Sequence, residues 1–513
     1  MTTTEDIPEK KIPKGLNTYI IALFLITLSI RVVLISYYNS NYGGIEQNVI
    51  YGIQRILAGQ ALYQDPAAGT YAVMQYTPLY YHFTASIAKL AGLHSSDVHG
   101  IYTLCRILAL TFNLLTVLTV ALIIRKWRFN WPTSILFSLP VLMLLTSHYY
   151  TRGDSMHLFL FTLAVSYYIR YSTDGGLKQI ILAALFSAGC IMVKQSGILI
   201  AGIICAGLMF AERKYLVALF YVLTSSLCTY LIAATCIGNN WHVFYQNAYL
   251  GLMDGTDLSF LYVIFTSQFF LDLVPCYVLG GIMVLLAVSK IKDKTYQVLS
   301  IGATLSFLFA VITGLKIGSS NNYFTEFLVF VIILLPYLLH SRSGDIELLK
   351  AFGKVVTISW FAYFAFIILI TSKTVGLFTS VYIEERLKNE QAEYANEQEL
   401  YAYMKNEFRL TLEDRIFFTE RKFFDNIFRD NAILPNKDVV FEVYASNHRT
   451  YDYAAFSAGM NTGMIKYIVT DEHKNNINAW NRELPFVLFD KNKFKLLTSH
   501  SGYAIYTYSP APL

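Results

Sequence analysis

YNSNYGGIEQNVIYGIQRILAGQALYQDPAAGTYAVMQYTPLYY, residues 38–81, is the first long polar stretch to follow an apolar run. Gly43 and Gly44 let the chain turn just before a carboxylate, Glu46. From Glu46 onward Val49, Ile53, Ile56 and Leu57 recur at helical spacing, which predicts an amphipathic helix lying on a membrane surface. A QALYQDP turn follows (60–66), and QYTPLYY (75–81) enters another helix at Pro78.

The flanks of this loop are those of a polytopic membrane protein. The 513 residues are 55% hydrophobic and 15% charged, whereas soluble domains carry about a quarter charged residues. About 20 apolar residues cross a hydrocarbon core. On that measure spans fall near 16–37, 101–124, 131–149, 154–171, 178–193, 195–211, 215–236, 262–289, 296–315, 323–340 and 351–372, about eleven in all. The first run lacks a cleavage pattern and is too long for a signal peptide, so it is expected to stay as an anchor. All six cysteines (Cys105, Cys190, Cys205, Cys228, Cys236 and Cys276) lie in or beside apolar runs. That pattern predicts neither a disulfide framework nor a cysteine zinc site.

The basic residues set the orientation. Lys10, Lys11 and Lys14, then Arg125, Lys126 and Arg128, Arg170 and Lys178, Arg213 and Lys214, Lys290, Lys292 and Lys294, and Arg342 and Lys350 all fall on one side. The positive-inside rule makes that side cytoplasmic. The net charge of +5 is thus spent on topology and gives no nucleic-acid surface. Loops 38–100, 149–154, 237–261 and 316–323 then face the other side, together with the C-terminal region. Beyond the membrane domain, 1–376, the segment 377–513 reads as a small extracytoplasmic α/β domain. It opens with a helix-favouring stretch around 384–408. Strand patterns follow at RIFFTE, DVVFEVYA, KYIVTD, PFVLFD and YAIYTYS, with a helical pattern around YDYAAFSAGM. No repeat at a fixed period is present.

Charges at the edges of spans cost about 3 kcal/mol each on insertion scales, which makes them functional candidates. Asp154 lies in TRGD (151–154), with Arg152 before it and His157 one turn later; a helix N-cap is the structural alternative. Lys194 interrupts AGCIMVKQSGILIAG at the outer end of a span, where it either snorkels or binds an anion such as phosphate. Lys316, Asn321, Asn322, Tyr323 and Glu326 cluster in GLKIGSSNNYFTEFL, a set suited to sugar hydroxyls or to helix capping. Arg31 and Asp272 inside spans are expected to be paired structurally. His148 and His242 are the ring-nitrogen candidates for a divalent metal, and no ligand spacing supports them. No cofactor is assigned, with a divalent metal left open. Apart from Arg31 and Asp272, the candidates share one membrane face, which independent structural roles do not predict.

In this order, SIRVVL (29–34), the acidic first loop, QALYQDP, QYTPLYYHFTA (75–85), TRGD, VKQSG (193–197) and SNNYFTE (320–326) resemble the GT-C glycosyltransferases. These polytopic enzymes take sugars from polyprenyl- or dolichyl-phosphate donors. They include the protein O-mannosyltransferases and the lipid A aminoarabinose transferases. The resemblance covers nearly the whole chain and implies an all-α membrane domain with an extracytoplasmic α/β domain. It also implies inverting transfer to an envelope glycan, lipid or protein. Glu46 stands where the family has Asp or an Asp–Glu pair, Gln75-Tyr76-Thr77 where it often has Lys, and Asn321-Asn322 where it often has Arg. The resemblance makes Glu46 the base and Asp154 the second acid. Lys194, Arg152 and Lys316 become the donor-phosphate contacts, and Tyr76, Tyr80, Asn322, Tyr323 and Glu326 the substrate contacts. A transporter or lipid-linked-sugar flippase is the competing class, but it would place its charges near the midplane and often shows a repeat. A non-catalytic membrane subunit would leave the acids unexplained.

Overall fold

The computed structural model describes residues 46–127, 129–144, 151–253, 255–266, 281, 293–319, 321–341, 380–419, 423–433, 435, 454–472 and 493–509, with scattered positions between 22 and 38. Helix α1 covers described positions from 22 to 35. The first loop holds α2 (Glu46–Leu57) and α3 (Leu79–Leu90). The apolar runs then form α4 (Val98–Arg125), α5 (Trp131–Leu144), α6 (Asp154–Asp174), α7 (Leu177–Val193), α8 (Ile198–Ala206) and α9 (Tyr215–Ile237). Helices Leu258–Thr266, Lys294–Gly314 and Thr325–Ser341 follow.

Among the described residues three helices are long and apolar enough to cross a membrane: α4, α9 and Lys294–Gly314. The surface of α9 shows the solvent it requires. Leu216, Leu219, Leu223, Leu227 and Leu231 recur at helical spacing, and each is more than half exposed. In water such a stripe costs about 25 cal/mol per Å²; against lipid tails it costs nothing. The opposite sides of the bundle pack Phe161, Ala164 and Tyr168 of α6 against Ala183 and Ala184 of α7, with Ile200 and Ile203 of α8 and Phe327–Leu335 completing the core. The small residues of α7 let these backbones approach closely, which is how helices associate in lipid.

Several expectations need correction. Helix α2 does not lie on a membrane surface, because every residue from Glu46 to Gln54 is buried. Its polar side chains find protein partners in place of water. Asn48 donates to the Val73 carbonyl at 2.9 Å, and Gln54 donates to the carbonyls of Ser95 at 2.7 Å and Asn426 at 3.0 Å. The run 195–211 is not one uniform helix: a 3-10 turn at Gln195–Gly197 leads into α8, which ends in a π-helical turn, Gly207–Ala211. The helix expected near 262–289 begins at Leu258 and is described to Thr266. The expected span 351–372, the strands DVVFEVYA and PFVLFD, and residues Asp272 and His148 lie outside the described residues.

In the C-terminal region the helix Ser380–Glu407 comes first, and among the described residues four strands form a sheet in the order β1-β2-β4-β3. These are β1 (Arg415–Phe418), β2 (Ile465–Asp471), β3 (Phe494–His500) and β4 (Tyr503–Tyr508). β1 runs parallel to β2, and β4 is antiparallel to both β2 and β3. Ile416, Phe418, Val469 and Ile505 pack from it against Leu400 and Met404 of the long helix. β3 had no expectation from sequence, because Leu496 and Leu497 are exposed and break the alternation that marks a strand.

Candidate active site

Glu46 opens α2 and is fully buried. Its Oε1 accepts from the backbone N–H of Thr151 at 3.1 Å, and its Oε2 lies 4.0 Å from the Arg106 guanidinium. Arg106 projects from α4, is itself 1% exposed, donates to the Tyr37 carbonyl and lies over the Tyr102 ring. Together these groups supply the opposite charge and the donor that a buried carboxylate needs.

Asp154 stands three residues beyond Thr151 as the first residue of α6, with Gly153 at the cap position. A Cβ on Gly153 would come within 2.9 Å of Val193 and 3.3 Å of Tyr80, so only glycine lets the chain pass here. Asp154 Oδ1 accepts from Lys194 Nζ at 2.7 Å and from Asn322 Nδ2 at 3.1 Å; Oδ2 lies 3.0 Å from Arg152 Nε. Lys194 reaches this carboxylate because α7 stops at Val193: Lys194 is extended (φ −154°, ψ 136°), and the chain turns back on itself. Gly197 makes that turn fit, since a Cβ there would run into the backbone of Cys190 and Ile191. Burial pushes the Lys194 ammonium down, but Asp154 and Tyr323 outweigh it and hold it above the ordinary lysine range. Tyr323 lies 5.1 Å from Lys194 Nζ and Tyr76 lies 5.6 Å from Arg152 Cζ, each offering a ring face to a cation.

The segment 151–154 therefore joins the two acids, and Tyr80 pins it by donating to the Thr151 carbonyl at 2.8 Å. One turn deeper, His157 Nε2 meets Glu326 Oε1 at 3.0 Å while its Nδ1 lies 3.3 Å from Cys190 Sγ. The loop before α3 is stitched down on its other side. Gln75 donates to the Gly251 carbonyl at 2.7 Å, Gln195 donates to the carbonyls of Gln75 and Ala248, and the Met74 amide donates to Asn247.

The overall architecture matches solved structures. ArnT from Cupriavidus metallidurans bound to undecaprenyl phosphate superposes with a TM-score of 0.58 at 11% identity, over 97% of this chain and 100% of that one. The same protein in the apo state gives 0.59 at 11% identity, over 96% and 98%. The oligosaccharyltransferase of Archaeoglobus fulgidus, in complex with Zn and sulfate, gives 0.51 at 13% identity, over 96% of this chain and 74% of that one. The fold is the GT-C fold. No family model matches the sequence, and no curated protein does.

Within this GT-C fold, most of the residues singled out by sequence converge. Asp154, Arg152, Lys194, Asn322, Tyr323 and Tyr76 form one group, and Glu46 and Tyr80 are tied to it through Thr151. Glu326 is drawn to His157 one turn below. Lys316 sits on the turn after the Lys294–Gly314 helix, in a β-bridge with Thr256, and its side chain is not part of the contacts just given. Among the described residues no three His, Cys, Asp or Glu side chains are arranged to hold a metal ion, and His242 is exposed on the short helix Trp241–Phe244. Arg106 was not among the sequence candidates, although a cation inside TLCRILAL obeys the same rule that marks Arg31. Gln54 and Asn247 gave no signal, since a buried amide in a polar loop looks like a solvated one.

Proposed function

We propose that this chain is an integral-membrane glycosyltransferase that moves a sugar from a polyprenyl-phosphate donor to an extracytoplasmic acceptor, with inversion. One observation carries the reading: two nearly buried cations, Lys194 and Arg152, converge on Asp154 at 2.7 and 3.0 Å, three residues from the amide that holds Glu46. Cations held in place beside carboxylates at the end of apolar helices suit a phosphate group. The GT-C structure bound to undecaprenyl phosphate supports a lipid as its carrier.

In this reading the donor phosphate competes with Asp154 for Lys194 and Arg152, with Lys316 as a further contact. Glu46 takes the proton of the acceptor hydroxyl as that oxygen attacks the anomeric carbon. The bond from that carbon to the phosphate oxygen breaks on the opposite face, and polyprenyl phosphate departs with its new charge facing the two cations. Asp154, released by the phosphate, orients the acceptor. Tyr76, Tyr80, Asn322, Tyr323 and Glu326 line the sugar. The test is transfer by the full chain in proteoliposomes supplied with labelled polyprenyl-phosphate sugars. Glu46→Gln and Asp154→Asn are expected to lower transfer by about a hundredfold or more while the protein still inserts and folds. Wild-type rates in both variants overturn the site; movement of intact lipid-linked sugar across the bilayer without transfer indicates a flippase. Mass spectrometry of envelope glycans, with and without the gene, identifies the sugar and acceptor.

A further inference from the structure

We propose that Asn426 is a positioning residue through which the C-terminal domain sets the Glu46 carboxylate. Asn426 lies on the short helix Phe424–Ile427 and is 1% exposed. Its carboxamide points out of its own domain. Nδ2 donates to the Gln47 carbonyl and to Gln54 Oε1, both at 3.1 Å, and Oδ1 accepts from the Tyr102 hydroxyl at 3.2 Å. Its backbone carbonyl accepts from Gln54 Nε2 at 3.0 Å. The amide has one workable orientation, because the Gln47 carbonyl can only accept.

The partners of Asn426 are the neighbours of the two residues that define the Glu46 site. Gln47 follows Glu46 in the first turn of α2. Tyr102 precedes Arg106 by one turn of α4, and its ring lies 5.6 Å from the Arg106 guanidinium carbon. One side chain from the far end of the sequence thus bridges the helix that carries the carboxylate and the helix that carries its cation. Docking of the domain has a separate basis. Phe423 packs edge-on to Tyr102 at 5.1 Å, Tyr394 lies 5.5 Å from the Tyr38 ring, and Tyr71 meets Phe456 at 5.4 Å. These apolar contacts hold the domain in place whether or not Asn426 is an amide, so Asn426 is left to fix the register of α2 against α4. The catalytic consequence rests on Glu46 being the base, but the positioning itself does not.

The test uses the full chain in lipid nanodiscs. Asn426→Asp keeps the size and the acceptor facing Tyr102, but it turns two donors into acceptors that face acceptors. Gln54→Ala removes two of the bonds between α2 and Asn426, and the one to Ser95, from the membrane side and leaves the C-terminal domain untouched. In both variants amide hydrogen exchange in 46–57 is expected to rise by about tenfold, with exchange in β1 and β2 unchanged. Transfer should lose about tenfold to a hundredfold in kcat with donor KM within about twofold, because a misplaced base costs rate and not binding. Wild-type exchange in 46–57 for both variants overturns the proposal whatever the protein transfers; raised exchange with unchanged kcat overturns its catalytic consequence where Glu46→Gln lowers transfer, and the base assignment where it does not. If the wild type transfers no sugar, the proposed function fails, and the exchange result alone upholds or overturns the positioning role.

Discussion

Removing the Lys194 ammonium leaves Asp154 with Arg152 and Asn322 in a place where both members of the pair are about nine-tenths buried. Water cannot replace the lost partner there, and breaking such a pair costs more than the pair contributes. Lys194→Met is expected to lower stability by about 2 kcal/mol in detergent unfolding and to raise the donor KM by about tenfold on the proposed function. In Lys194→Met/Asp154→Asn the stability loss should be smaller than the sum of the two single losses, by about 1 kcal/mol or more. Additive losses would mean the two side chains do not act as a pair. At this scale the sequence was informative about charges and about the amides of the 316–326 loop, and silent about those elsewhere. A Lys or Asp at the edge of an apolar run is conspicuous because lipid makes it costly; Arg106 carries the same mark and was missed. Gln54 and Asn426 carry no such mark, since their importance comes only from what faces them.

The break between α7 and α8 decides where Lys194 points. A continuous helix through 194 would keep its side chain on a helical face; the extended residue and the turn that follows bring the ammonium to Asp154 instead. Gly197→Ala puts a methyl group into the backbone of Cys190 and Ile191, so the turn has to open. Overpacking of this kind costs about 1–3 kcal/mol, and Gly197→Ala should lower Tm and weaken donor binding together. A lower Tm with unchanged donor KM would separate the turn from the phosphate site. The apolar runs were legible as helices because length and hydropathy alone define a span. The boundary at Lys194 was legible too, between the expected spans 178–193 and 195–211; the extended Lys194 and the close approach that Gly197 permits were not. The burial of α2 was misread for a related reason: its helical spacing was visible, but the protein groups that take up its polar face come from residues 73, 95 and 426.

For the whole molecule, two surfaces matter: the leucine stripe of α9 and the face of α2 that the C-terminal domain covers. The leucine stripe of α9 should tolerate any apolar residue, whereas Leu219→Lys/Leu223→Lys places charge against hydrocarbon at about 3 kcal/mol each. Membrane-inserted yield is the measurement, and an unchanged yield would mean that this face is covered by protein. Much of the architecture was readable from sequence, as the match to GT-C structures over nearly the full chain bears out. The seating of the sheet domain was not, since it rests on single aromatic contacts, Phe423 on Tyr102 and Tyr71 on Phe456, that leave no pattern in the sequence.

The two acids and three cations at the site carry one further consequence. Arg106, Arg152 and Lys194 against Glu46 and Asp154 leave this cluster with a single positive charge. A sugar phosphodiester brings one negative charge and neutralises it. Once the sugar has gone, the phosphate monoester left behind carries about −1.5 to −2 at neutral pH. That charge exceeds the single positive charge of the cluster, so on the proposed function the spent carrier lipid is held less well than the donor it came from. On this reading, the charge made by the transfer itself clears the site for the next turnover, and polyprenyl phosphate should inhibit with a Ki above the donor KM; a Ki below it would mean that charge balance does not govern release.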